Sequence, residues 1–207
     1  MILNSSYKKG NYERLYSKYI FKDVDKLLIL AKVTKNKSLL DLGAGTGAVS
    51  KIAWKRGVRN ITAIEKHKAM LDNISLKIEK VYSSVEDFVP MKKYDIAICR
   101  QAINYMDLEK VDEVVHKALK KRGVFVFNSF VNKPLFNIKS YSFNNVRYFE
   151  FSTSFGKTVF HVQASKLGID LTKFSYYNKE DFSIFNKRFS VRRMVEGNSV
   201  YYICRKK

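Results

Sequence analysis

The sequence predicts an α/β fold built on a doubly wound parallel sheet, and three observations predict it. Strand-like and helix-like periods alternate from residue 38 to residue 130. A glycine-rich turn joins the first strand of that series to its first helix, and the chain closes on two strand-like runs flanking a tight turn. With 207 residues and 46% apolar content, the chain is long enough for one domain with a substantial core, and no composition shift divides it.

Each element has its own signal. Between Asn11 and Val33, apolar residues such as Leu15, Tyr19, Val24, Leu27 and Ala31 recur at three to four, which predicts an amphipathic helix or helix pair forming an N-terminal cap over residues 1–36. Ser38 to Leu42 is a short buried strand, and Val49 to Trp54 opens a helix that Gly57 closes. Asn60 to Glu65, Ile78 to Tyr82, Tyr94 to Cys99 and Gly123 to Phe130 read as further strands, with helices at His67 to Ile74 and Asp107 to Leu119 between them. Past residue 130 the alternation stops, and residues 131–177 form an insertion. Within it Val146 to Thr153 and Thr158 to Gln163 predict a hairpin turning at Phe155-Gly156-Lys157. Asn178 to Asp181 resembles a capped helix start running to Phe185, and Phe189 to Val195 with Val200 to Cys204 flank Glu196-Gly197-Asn198-Ser199.

Composition bounds the function classes. The net charge is +20, from 29 Lys and 10 Arg against 19 acids, and it divides as +6, +5 and +9 over residues 1–40, 41–130 and 131–207. No segment owns the excess. Abundant Lys, Asn, Ile, Phe and Tyr suggest an A+T-rich coding sequence, which explains much of the lysine but not the shortage of acids. A positive field that attracts a phosphorylated or polyanionic partner therefore remains a reading of the charge. The longest apolar run near the N-terminus is far too short for a bilayer span, and the first residues lack a signal-peptide pattern, so a cytoplasmic location and no membrane partner are expected. Cys99 and Cys204 fall in apolar runs with no second ligand at metal spacing, which predicts buried free thiols and no metal.

The stretch Leu39 to Val49, LLDLGAGTGAV, fits two cofactor fingerprints at once. Gly43, Gly45 and Ala48 satisfy the pattern of a dinucleotide site, and Gly43, Gly45 and Gly47 that of a methyl-donor site. Asp41 bears on the choice, because a carboxylate two residues before Gly43 opposes a pyrophosphate and suits a ligand carrying an ammonium group. Glu65, 20 residues after Gly45, stands where a carboxylate accepts hydrogen bonds from ribose hydroxyls in either case.

Taken with ITAIEK, SSVEDF, YDIAICRQAINYM, RGVFVFNSF and the closing FSVRRMVEGNSVYYICRK, this stretch resembles the successive motifs of the class I S-adenosylmethionine-dependent methyltransferases, over residues 10–207. The resemblance implies a Rossmann-like, seven-stranded sheet ending in an antiparallel hairpin, with S-adenosyl-L-methionine as methyl donor. It implies that Asp41, Gly43, Ala44 and Gly45 line the donor's methionine portion, that Glu65 beside Lys66 holds the ribose, and that Ser84, Val85 and Glu86 flank the adenine. The family usually has an acid at the Ser84 position, which leaves Glu86 or the Val85 backbone to meet the adenine amino group. Arg100 would meet the donor after the fourth strand, and Tyr12, Tyr16 and Tyr19 resemble the aromatic helix capping the donor in small-molecule members.

For the acceptor, the sequence lacks the Asn/Asp-Pro-Pro-aromatic set of base-amino enzymes, a Cys-Pro nucleophile, and the Lys-Asp-Lys-Glu set of ribose enzymes, since Asp95 begins its strand. The insertion instead resembles the acceptor cover of enzymes that methylate amino groups of sugars or amino acids. Tyr148, Glu150 and Ser152 alternate onto one strand face, and His161 and Gln163 onto one face of its neighbour. His161 and Tyr148 are the candidate catalytic residues, and Gln101, Asn104, Tyr105, Glu150 and Gln163 the candidate acceptor contacts. The expected function is methyl transfer to an amine or hydroxyl of a small, acidic or phosphorylated molecule. An RNA acceptor is the alternative, suggested only by the charge.

Overall fold

The computed structural model describes residues 23–130, 137–143, 146–153, 156–158, 177, 179–197 and 199–207. Helix α1 covers residues 23–30. The alternating series follows as β1 (Leu39–Leu42), α2 (Ala48–Lys55), β2 (Ile61–Glu65), α3 (Lys68–Asp72), β3 (Glu79–Tyr82), β4 (Tyr94–Arg100), α4 (Leu108–Ala118) and β5 (Leu119–Phe130). The strands β6 (Asn137–Phe143), β7 (Val146–Thr153) and β8 (Gly156–Thr158) form a separate antiparallel sheet, and β9 (Phe189–Glu196) and β10 (Ser199–Lys206) close the chain.

The main sheet has seven strands in the order β3-β2-β1-β4-β5-β10-β9. Pairing is parallel from β3 to β5, and β10 runs antiparallel to both β5 and β9. Residues of β1 and β2 are buried throughout, as parallel strands covered on both faces must be. Because side chains alternate along a strand, β5 feeds two cores. Val124 and Val126 join Leu27 and Leu28 of α1 and Ile52 of α2 on one face. Phe125 and Phe127 join α4 and the 3-10 helix Asp181–Lys187 on the other. There Phe127 stacks on Tyr202 with ring centroids 4.9 Å apart and planes 11° off parallel, and Phe182 and Phe185 pack against the pair.

Helix α4 begins where the sequence predicted, because Asp107 caps it by accepting hydrogen bonds from the N–H groups of Glu109 and Lys110 at 3.0 and 3.3 Å. The base of the sheet is clamped between β1 and β4: the N–H and hydroxyl of Ser38 both donate to Asp95, whose own N–H donates to the Ser38 hydroxyl. Burial alone would raise the Asp95 carboxyl, but the Ser38 donors and the Lys120 ammonium outweigh it and bring it down to about 2.

Three expectations need correction. The insertion hairpin does not turn on Gly156, since that residue pairs with Thr153 at the start of β8. The glycine belongs to the strand. β6 precedes that hairpin as an additional strand, and its Ser, Asn and Lys content hid it. The helix expected from Asn178 is a 3-10 helix starting at Asp181, anchored by Phe182 and Phe185 one turn apart. Of the N-terminal cap, residues 1–22 lie outside the described residues, as do 159–163 of the second insertion strand.

Truncating Phe127 to Ala should lower unfolding stability by about 3–5 kcal/mol, since its ring is buried among four aromatic neighbours. Urea denaturation checks it, and a loss under about 1 kcal/mol would mean the cluster repacks.

Candidate active site

The carboxyl ends of β1, β2, β4 and β5 meet at the glycine turn, which runs through three left-handed glycines for three different reasons. A Cβ on Gly43 (φ 64°) would stand 2.7 Å from Ala102 Cβ, and one on Gly47 (φ 84°) would stand 2.7 Å from Ile74 Cγ1, so both are demanded by close packing. A Cβ on Gly45 (φ 55°) would meet nothing within 4 Å. Gly45 therefore presents bare backbone to open space.

Two buried carboxylates hold this turn. Glu65, at the end of β2, accepts from Gly45 N–H through Oε2 at 2.8 Å and from His67 N–H through Oε1 at 2.9 Å. Ala44 N–H donates to the Ile64 carbonyl at 2.8 Å, so the turn is stitched to β2 by backbone as well. Asp41, in β1, reaches past the glycines to α2, where its Oδ2 accepts from the Ser50 hydroxyl at 2.6 Å and the Ser50 N–H at 3.1 Å. α2 has no cap from its own N-terminal residue, Gly47, and Asp41 serves in its place. Burial pushes the Asp41 carboxyl up to about 6; the Ser50 donors oppose the rise, and the Glu65 charge adds to it. Lys66 is exposed beside this pair.

After β3, Ser84 and Asp87 form a closed turn: the Ser84 hydroxyl donates to Asp87 Oδ2 at 2.6 Å and accepts from Asp87 N–H at 3.1 Å. Val85 is buried. The Glu86 carboxylate, expected to flank adenine, accepts from Asp107 N–H at 3.2 Å and so braces the start of α4. The acid paired with the Ser84 position is Asp87, three residues on, which the sequence reading passed over.

After β4, Gln101 adopts φ 52° and sits in a polar network that spans the fold. Its N–H donates to Asn128 Oδ1 at 2.9 Å, and its side-chain amide donates to Asp23 Oδ2 at 3.0 Å. Tyr201 of β10 donates to the other Asp23 oxygen at 3.1 Å. Gln101 was expected to face the acceptor, and the structure gives its amide to α1 instead. Asn104 is buried and accepts from the Ser129 hydroxyl at 3.0 Å, while Arg100 and Tyr105 are half-buried at the same strand ends. Asp23, Ser50, Asn128 and Tyr201 had no signal in the sequence, since their partners lie up to 178 residues away.

Tyr148 and Glu150 fall on β7, opposite Tyr141 and Lys139 of β6 in register. His161, Gln163, Tyr12, Tyr16 and Tyr19 lie outside the described residues. Burial raises both cysteine thiols, Cys99 and Cys204, well above the usual range, so neither is a ready nucleophile. Among the described residues, no group of three or more His, Cys, Asp or Glu could hold a metal ion.

Asp41 makes a pH prediction. Its folded pKa, about 6, lies above the ordinary carboxyl value of 3.8, so the folded state binds the extra proton between these values. The stability this contributes is present below about pH 4 and is lost as pH rises through about 6, a change of about 3 kcal/mol for a fully buried group. Asp41→Asn should remove that component from the pH–stability curve measured by urea denaturation, while retaining a cap oxygen for Ser50. An unchanged curve would mean that Asp41 titrates normally.

Residues 40–127 match the family model described as a methyltransferase domain. A probable S-adenosylmethionine-dependent methyltransferase of Saccharomyces cerevisiae is 25% identical over 136 residues, 60% of this chain and 46% of its own; the chain spans about half the length of that curated relative. Among solved structures, an S-adenosylmethionine-dependent methyltransferase from Clostridium acetobutylicum aligns with TM-score 0.65 at 16% identity, covering 95% of this chain and 98% of its own. An amino pentose methyltransferase from Micromonospora echinaspora, involved in calicheamicin biosynthesis and solved with S-adenosylmethionine bound, aligns with TM-score 0.65 at 14% identity over 94% and 96%. With the glycine turn, the acidic end of β2 and the reversed β10 all in place, the chain has the fold of the S-adenosylmethionine-dependent methyltransferase structures with which it aligns, and its residues 40–127 match the methyltransferase domain.

Proposed function

We propose that this protein transfers a methyl group from S-adenosyl-L-methionine to an amine or hydroxyl of a small molecule. The observation that carries the reading is Gly45, a left-handed glycine with open space where a side chain would stand, on a turn held by two buried carboxylates. A methionine portion fits the chemistry of that cradle. Its ammonium would relieve the Asp41 and Glu65 charges, which oppose each other. Glu65 is the acceptor for ribose hydroxyls, and the Ser84–Asp87 turn with the buried Val85 is the adenine border. A nicotinamide dinucleotide would instead bring a pyrophosphate against the same carboxylates.

The bound donor supplies a methyl carbon made electrophilic by its sulfonium. The chain's own work is alignment and exclusion of water. Asn104 and Tyr105 after β4 are the candidates for one side of the acceptor space, and Tyr148, Glu150, His161 and Gln163 of the insertion are the candidates for the other. A neutral amine needs only to be oriented, whereas a hydroxyl needs a base, for which His161 is the candidate. The amino pentose methyltransferase among the structural relatives favours a small acceptor of that kind.

Calorimetry with the donor and with its demethylated product should give micromolar-range affinities, and none for NAD. Gly45→Val should abolish donor binding, and Glu65→Ala should weaken it by about 1–3 kcal/mol. If Asp41 pairs with the ammonium, affinity should fall as pH drops below about 6, where the carboxyl protonates. Tight NAD binding, or wild-type donor affinity in both variants, would overturn the reading. Incubating the protein with labelled donor and a fractionated cell extract should place label in the low-mass fraction, and label confined to RNA would reject a small-molecule acceptor.

A further inference from the structure

The positive charge that is dispersed along the sequence is gathered by the fold. Parallel strands put all their amino ends at one end of the sheet, and β10, running the other way, brings its carboxyl end there too. Residues 117–123 and 205–207, which meet at this end, hold seven lysines and arginines and no acid. Lys120, Lys121, Arg122, Arg205 and Lys207 are exposed. Residues 34–38 and 91–93 add four more lysines between them, again without an acid. The opposite end, where the glycine turn lies, has no such excess: residues 65–68, 83–87 and 100–109 carry five acids against Lys66, Lys68 and Arg100.

Part of this basic charge has a local task. Lys93 donates to the Lys117 carbonyl, and Lys206 donates to the Leu119 carbonyl at 2.9 Å, both at the C-terminal end of α4, where the helix dipole favours cations. The helix end does not neutralise the cluster. Lys206 is held below its ordinary value by burial and then by Lys93, and His116 by burial and then by Lys206 and Arg188. The cations crowd one another, and three acids stand among them: Asp95, shared by Lys37 and Lys120, Glu79, paired with Lys92 at 2.7 Å, and Glu113, paired with Lys117 at 3.6 Å, which leaves Lys121, Arg122 and Arg205 as the exposed charge of the end.

A second feature lies on the same rim. Met91 is 91% exposed and Val89 72% exposed, in the run that leads into β4 immediately before Lys92 and Lys93. They form the outer lip of a cleft of about 290 Å3 whose deeper side chains are Phe88 and Tyr94. Two bulky aliphatic side chains held out in water beside a cluster of lysines gain nothing from a phosphate backbone. Among the described residues, the exposed aromatic Tyr82 stands at the carboxyl end of β3, and Trp54, nearer the basic end, is covered by the Arg59 guanidinium 4.3 Å above it, so the basic end offers bases no stacking platform. Both features gain at the surface of an anionic bilayer, where basic groups meet lipid headgroups and aliphatic tips enter the interface.

We propose that the amino-terminal end of the sheet docks on an anionic lipid surface, with Met91 and Val89 inserting and the basic cluster around β5 and β10 facing the headgroups. No membrane partner was expected from a chain whose apolar runs are too short to span a bilayer, and no helix among the described residues is long and apolar enough to cross one. A surface contact needs none. In this orientation the glycine turn faces away from the lipid and stays open to dissolved ligands.

Cosedimentation of the full chain with phosphatidylcholine vesicles, with and without about 30% phosphatidylserine, tests the proposal at roughly 0.1 M salt. Binding should require phosphatidylserine. The triple variant Lys121→Gln, Arg122→Gln, Arg205→Gln should bind about 100-fold more weakly, roughly fivefold per cation, and Met91→Gln should lose about tenfold with every charge retained. Thermal unfolding midpoints within about 2 °C of wild type would establish that both variants are folded. Should either fail this, Lys121→Gln alone and Met91→Ser take their places. Absence of binding to phosphatidylserine vesicles, or undiminished binding by the Met91 variant, would overturn the proposal. So would transfer RNA that displaces the vesicles and binds the Met91 variant at full strength, because the face would then serve nucleic acid.

Discussion

Two carboxylates buried at adjacent strand ends are the constraint around which this end of the molecule is organised. Asp41 and Glu65 repel each other, and each is tolerated because backbone N–H groups point at it: Ser50 for the first, Gly45 and His67 for the second. To deliver those donors, the chain must leave β1, turn through three left-handed residues and start α2 within five residues. Only glycine makes such a turn without strain at each step. The same pair then defines what suits the cradle. An ammonium relieves it and a pyrophosphate aggravates it, so the glycine pattern shared by two cofactor classes is decided by acids that are not part of the pattern.

The rigidity that this arrangement needs comes from the two sides of the sheet in different ways. The face with α1 and α2 is aliphatic, whereas the face with α4 carries the Phe125, Phe127, Phe182, Phe185 and Tyr202 cluster. That cluster ties the last hairpin to the middle of the sheet, and β10 in turn places Tyr201 against Asp23. Gln101 completes the link from β4 to α1, so the first described helix is fastened to strand ends drawn from opposite halves of the chain. A helix fixed in this way is set where it can border the ligand space rather than merely shield the sheet.

Periodicity made the alternating half of the fold legible, because buried parallel strands are continuous apolar runs and Asp107 and the three glycines mark where helices begin. The closing hairpin was legible for a similar reason, with Gly197 at φ 58° between two alternating runs. In the insertion the signals misled. Gly156 reads as a turn yet lies in a strand, and β6 is too polar to announce itself. At the site, the motif residues were legible as a group, whereas the hydrogen bonds that tie Gln101 to Asp23 and Glu86 to Asp107 were not, because no local pattern encodes them.

Charge is the case in which sequence order concealed the most. Divided along the chain, the basic residues look uniformly spread, which argues for a compositional origin. Divided by strand direction, they are not uniform at all, because short turns at the amino ends of parallel strands come from segments far apart in sequence and converge in space. A mutational bias toward lysine acts on every exposed position alike and has no access to strand polarity. The carboxyl ends hold Asp41, Glu65, Asp87 and Asp107 beside Lys66, Lys68 and Arg100, and so lack the excess of the amino ends. An asymmetry aligned with the sheet axis therefore belongs to the folded molecule, and it sets up a field that orients the protein before any contact forms: basic end toward a polyanionic surface, acidic ligand cradle toward solution.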